Sequence, residues 1–138
     1  MKKILFIILF VLGCFQFSVV RAQILTIEIT GIEEVNGDTI FIGIYDNAKT
    51  FMKVPKFAYK VPVDESKVVL EVKIPKGSYA ISMFLDSNRN GVLDTGMFGI
   101  PLEKWGVSNN AEGFAGPPSF KKCRFDFNKD MTINIELK

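Results

Sequence analysis

The stretch DSNRNGVLD, from Asp86 to Asp94, sets oxygen-bearing side chains at alternate positions ahead of a glycine. Calcium chemistry asks for this pattern, because a hard cation gathers roughly six to eight oxygens and a glycine turns the backbone around it. Asp86, Asn88 and Asn90 stand at positions one, three and five of such a loop, Gly91 at six, the carbonyl of Val92 at seven and Asp94 at nine. Position twelve is Met97, so the bidentate glutamate of an EF-hand is missing, and no helical periodicity flanks the loop. The expectation is a half-site of the extracellular kind, completed by Glu103, Glu112 or main-chain carbonyls, with calcium as the candidate cofactor and a dissociation constant of ~10⁻⁴ to 10⁻³ M. A metal-free turn stands beside it, since Asp and Asn side chains bond nearby main-chain amides and Asn90-Gly91 suits a tight bend.

Other chemistry is narrowed by what the chain lacks. It has no histidine, which excludes a Ser-His-Asp triad, a Cys-His pair and a histidine-based zinc site. No glycine-rich loop joins a strand to a helix, so phosphate-cradling and dinucleotide folds find no support. Cys123 alternates with Phe125 and Phe127 and reads as a small buried hydrophobe. The enzymatic alternative is a glycan hydrolase using Asp86 and Asp94 with Glu103 or Glu112, and Trp105 stacked on a sugar. No catalytic residue is assigned.

The elements that must position these residues are strands. Leu25, Ile27 and Ile29 alternate with Thr26, Glu28 and Thr30, and the same period of two runs through TIFIGIYD, FAYKVPV, KVVLEVKI, GSYAISMFLD, KKCRFDFN and MTINIELK. Pro62 predicts an edge strand, because proline cannot donate to a ladder. The weaker amphipathicity of GSYAISMFLD predicts a central one. Turn-forming residues separate the runs at Asn36-Gly37-Asp38, Asp64-Glu65-Ser66, Pro75-Lys76-Gly77 and Asn128-Lys129-Asp130. About seven strands so spaced imply an all-β, single-domain antiparallel β-sandwich, immunoglobulin-like or transthyretin-like.

Ahead of the strands lies a leader. Lys2 and Lys3, an apolar run and the small residue Ala22 make up a secretory signal peptide over residues 1–22, leaving a mature domain at 23–138. The expected location is periplasmic or extracellular, with lipid anchoring at Cys14 as an alternative. The apolar run is interrupted by Gln16 and Ser18, so no transmembrane span is expected in the mature chain. Cleavage removes Lys2, Lys3 and Arg21, leaving 14 of the 17 basic residues against 15 acidic ones. A net charge near −1 does not make a nucleic-acid surface.

Alternation stops between Asp86 and Phe120, a stretch of 35 residues. Loops longer than about 15 residues are uncommon in compact domains unless they are functional or disordered. Phe98, Trp105, Phe114 and Phe120 argue for order, as aromatic anchors that pin the loop. The expected ligand surface is Trp105, Ser108, Asn109 and Asn110, presented to a protein or carbohydrate partner.

Five boxes carry a resemblance: Gly77 to Tyr79 running into Asp86 to Asp94, Phe98 to Pro101, Gly106 to Asn110, and Gly116 to Phe120. With them the mature chain resembles the small secreted bacterial family catalogued as domain of unknown function 2141. Leu85 stands where relatives often have His, which removes one ligand or proton carrier. The resemblance implies an exported all-β domain and carries no assigned activity. The expected function is a secreted, non-enzymatic binding or envelope-associated module, with the hydrolase and a purely structural envelope component as alternatives.

Overall fold

The computed structural model describes residues 22–138. The expected leader, Ala22 excepted, and Cys14 lie outside the described residues. Strand β1 (Gln23–Thr30) buries Leu25, Ile27 and Ile29 on one face, as its alternation predicts. It lies between β4 (Val68–Ile74), antiparallel with Leu25 opposite Val72, and β8 (Met131–Glu136), parallel with Ile29 opposite Ile135. That parallel pair departs from the all-antiparallel expectation. Parallel neighbours need a long crossover, and the rest of the domain supplies it, because β1 and β8 are the first and last strands among the described residues.

The second sheet has β3 (Phe57–Pro62) at its edge, then β2 (Thr39–Tyr45), then β5 (Gly77–Asp86). Pro62 thus sits at the end of an edge strand and β5 in the interior, both as expected. Two short strands pair antiparallel with β5 in succession: β6 (Trp105–Val107) opposite Ser82 to Phe84, and β7 (Phe125–Phe127) opposite Gly77 to Tyr79. There are therefore eight strands among the described residues. The additional one, β6, lies inside the segment expected to be a loop. The strand expected from Lys121 is shortened, because Phe120–Cys123 forms a single helical turn, α1, before β7 begins.

The two sheets enclose one aliphatic core, in which Leu25, Ile27 and Ile29 join Ile40, Ile42, Ile44, Ile81 and Met83. Fully burying a side chain of this kind stabilises by about 1.5–3 kcal/mol. At one end the sheets are tied together, since the main chain of Lys138, just past β8, exchanges hydrogen bonds of 3.1 and 3.0 Å with Trp105 of β6. Gly106 permits this close approach: a Cβ there would lie 2.8 Å from the Ile135 side chain.

Candidate functional site

Asp86 closes β5 and is only 3% exposed. Its Oδ1 accepts the Asn90 amide at 3.1 Å and its Oδ2 the Gly91 amide at 2.9 Å. Gly91 has φ +79°, the left-handed backbone that the turn requires. The Oδ1 atoms of Asn88 and Asn90 accept the amides of Asn90 and Val92, while their Nδ2 atoms donate to Asp94 Oδ2 at 2.5 and 2.7 Å. Glu103, well along the loop, is 8% exposed and binds the turn through its carboxylate. Its Oε1 accepts the Ser87 amide at 3.0 Å and its Oε2 the Asp94 amide at 3.2 Å.

The structure thus brings Asp86, Asn88, Asn90 and Asp94 into one turn and adds Glu103. The turn is closed on itself by hydrogen bonds. An ion seated there would require the amides of Asn88 and Asn90 to turn over and present oxygen. No three His, Cys, Asp or Glu side chains converge as a metal-holding group among the described residues.

After Asp94 the loop doubles back as a small hairpin. Asp94 and Gly96 accept from and donate to Leu102 and Ile100, at 2.9 and 2.7 Å, around a tip at Met97–Gly99. The tip is apolar and faces water: Phe98 is 94% exposed, with Met97, Ile100 and Leu102 also exposed. Phe114, farther along, is 97% exposed. Of the four loop aromatics expected to be anchors, only two act so. Phe120 packs edge-on against Phe51, with ring centroids 5.7 Å apart, and Trp105 packs on the same cluster with Tyr45 and Val107.

Ser108, Asn109 and Asn110 are splices in the main chain. Ser108 is buried, accepts the Ile81 amide at 2.9 Å and donates to the Cys123 carbonyl at 2.5 Å, filling the gap along β5 between β6 and β7. Asn109 Nδ2 donates to the carbonyls of Lys122 and Arg124 at 3.0 and 2.9 Å. The Asn110 amide imitates a strand against β8, accepting from Glu136 N at 2.9 Å and donating to Asn134 O at 3.4 Å. Of the expected ligand surface, Trp105 lines a large cavity.

That cavity, about 720 Å³, lies on the outer face of the five-stranded sheet. Its floor is Ser82, Phe84 and Trp105, and its walls come from Met52, Leu93, the hairpin at Phe98 to Pro101, and Ala115 to Pro117. The floor continues as an aromatic row across the strands. Trp105 is opposite Phe84, which stacks on Phe41 at 5.1 Å and 9°, and Lys60 Nζ lies 4.9 Å above the Phe41 ring. Three cleft residues other than glycine hold left-handed backbone: Met52 (φ 57°), Phe98 (φ 61°) and Ala115 (φ 52°).

Burial pushes the Cys123 thiol up to about 11, so it stays protonated at neutral pH and is a poor nucleophile. Burial also raises Tyr45.

Residues 27–134, most of the chain, match the family described as an uncharacterized protein conserved in bacteria, DUF2141. The chain belongs to this family. No curated protein and no solved structure matches it. For this DUF2141 member, the residues that sequence reasoning missed are Phe41, Met52, Ser82, Phe84 and Leu93. A signal for part of them existed, since both faces of GSYAISMFLD are apolar and an apolar outer face needs a cover.

Proposed function

We propose that this protein is an exported, non-enzymatic binding module of the periplasm or extracellular space, whose Asp86–Phe120 segment roofs an apolar cleft that receives the hydrophobic part of a ligand. The cleft is the observation that carries this proposal. Its volume of about 720 Å³ falls within the roughly 300–1,000 Å³ of small-molecule sites. Ser82 and Thr95 are the only hydroxyl side chains in its lining, which favours an apolar ligand over a sugar, whose hydroxyls need many convergent polar partners.

Backbone strain supports the same site. A non-glycine residue held in a sparsely populated conformation costs about 1–3 kcal/mol, and such residues cluster where ligands are clamped. Met52, Phe98 and Ala115 all line this cleft. The order of charge, apolar run and small residue in Met1–Ala22 supports export. The non-enzymatic part is supported by the engagement of Asp86 and Glu103, whose carboxylates bind loop amides.

Calcium belongs to this proposal as a stabiliser of the roof, seated at Asp86 and Asp94 with the Asn88 and Asn90 amides turned to offer oxygen. The alternate spacing of those side chains and the left-handed Gly91 support it.

Trp105 is the sole tryptophan and lines the cleft, so its fluorescence reports on occupancy. Titration with a long-chain fatty acid should shift Trp105 emission to the blue, and Phe84→Ala should remove the saturable response while the protein stays folded. An emission spectrum unmoved by fatty acids and by other apolar probes would sink the cleft as a binding site.

A further inference from the structure

A second cavity, about 240 Å³, lies on the other side of the Leu102–Lys104 segment, and its character is opposite. Glu33, Glu34, Asp38 and Glu103 line it, with Lys104 as its single cation. Lys104 Nζ already pairs with Glu33 at 2.9 Å. The Glu103 carboxylate is taken by the amides of Ser87 and Asp94.

Asp38 is different. It is 6% exposed, yet among the described residues no hydrogen bond or ion pair reaches its carboxylate. A buried polar group without a partner is costly, so an unpartnered one points to something that completes it. No fully sealed side-chain oxygen lacks a partner among the described residues, so the Asp38 carboxylate is not sealed off, and Asp38 lines this cavity.

We propose that this cavity receives an ammonium group, carried by an alkyl amine or by a lysine side chain, with Asp38 as its principal counter-ion and Glu34 at the rim. A divalent metal fits the walls less well. Such an ion needs several oxygens converging at about 2.0–2.6 Å, whereas no three acidic groups converge so among the described residues. The cavity is also far larger than a bare ion. Leu85 and Leu102 in its wall offer apolar surface on which a methylene stem lies while its charged head reaches the carboxylates. The Lys104–Glu33 pair shows that an ammonium is accommodated there; Asp38 remains for a second one.

This site is independent of the apolar cleft, and its test is separate. The purified protein is titrated by calorimetry at low salt with 1,5-diaminopentane, with a short lysine-containing peptide whose N-terminus is acetylated, and with calcium chloride. Saturable binding of diamine or peptide is expected, weakening with added salt and at least tenfold weaker in Asp38→Asn. Glu34→Gln, a change at an exposed residue that leaves the fold intact, should weaken it by about twofold to threefold. Binding of the diamine identifies a free amine as sufficient; binding of the peptide alone assigns the site to a lysine side chain. Absence of binding by both, equal binding by Asp38→Asn and the wild type, or calcium that competes and binds more tightly through the same residues would each overturn the ammonium assignment.

Discussion

On its inner face the five-stranded sheet presents Ile40, Ile42, Ile44, Ile81 and Met83 to the three-stranded sheet, and all are buried. On its outer face the same strands present Phe41, Ser82, Phe84 and, from β6, Trp105 to nothing more than a loop and a cleft. Successive side chains of a strand point to opposite sides, so one run of residues builds both a sealed core and a half-open platform. The inner face is covered by another sheet, which has no freedom to leave. The outer face is covered by the Asp94–Leu102 hairpin and the Ala115–Pro117 bend, which carry left-handed backbone at Phe98 and Ala115 and the exposed ring of Phe98. Under the proposed function, stability and binding belong to opposite faces of one sheet.

The widest separation between the faces should come from two positions on β5 that point in opposite directions. Ile81→Ala removes a fully buried side chain and is expected to cost about 3–4 kcal/mol in urea unfolding, within the span seen for large-to-small core changes. Phe84→Ala, on the half-buried outer face, should cost about 1–2 kcal/mol yet abolish the Trp105 fluorescence response. Equal losses of stability, or a Phe84→Ala protein that still responds, would break the comparison.

Ser108 belongs by sequence to the outer segment and by structure to the core, so it tests where the boundary runs. Ser108→Ala leaves the Ile81 amide and the Cys123 carbonyl without the hydroxyl that joins them. An unmet buried group costs about 1–3 kcal/mol, and the loss should appear locally, as faster hydrogen exchange at the Ile81 amide. An unchanged exchange rate there would return Ser108 to the surface role that its sequence context suggested.

What could be read from the sequence divides along the same line. Period-two alternation exposed the core side of β1, β2, β4, β5 and β8 directly, because a half-buried strand writes its buried face as every second residue. Pro62 marked an edge through its missing donor. The outer face was only half legible for a physical reason: the apolar second face of GSYAISMFLD signals that a cover is needed, but what covers Phe41, Ser82 and Phe84 lies far along the chain and no local pattern names it. Asn109 and Asn110 misled in the opposite way. Amide side chains suit ligand contact and strand imitation equally, and only their distance to Arg124 and Glu136 reveals the second. The pairing of β1 with β8 joins the two ends of the domain and is fixed by no local pattern.

The Asp86–Asp94 turn joins the core strand to the roof, and calcium would sharpen the contrast between them by stiffening only the roof. At ten times its dissociation constant, calcium should add about 1.4 kcal/mol to stability, read as a rise in melting temperature that magnesium does not reproduce. Asp86→Ala with Asp94→Ala must be judged by the difference between calcium and chelator. The double variant will be less stable in chelator as well, because Asp86 holds the amides of Asn90 and Gly91. A calcium increment that survives the double change would remove the ion from this turn.

The smallest effect expected is the most direct test of strain in the roof. Ala115 has φ 52° in a bend that lines the cleft, and a Cβ added at neighbouring Gly116 would meet nothing within 4 Å, so the bend is open on that side. Left-handed backbone costs an alanine about 1–2 kcal/mol, while glycine adopts it freely but loses about 0.4–1 kcal/mol through the greater freedom of the unfolded chain. Ala115→Gly should therefore stabilise by roughly 0.5–1 kcal/mol, a rise of about 2–4 °C in melting temperature. If the strain serves the cleft, the same variant should bind the fatty-acid probe more weakly despite its higher stability, because the wall is no longer held in one conformation. Higher stability with unchanged binding would instead make the left-handed bend a property of the loop's path, and would leave the aromatic floor at Phe84 and Trp105 as the part of the outer face that selects a ligand.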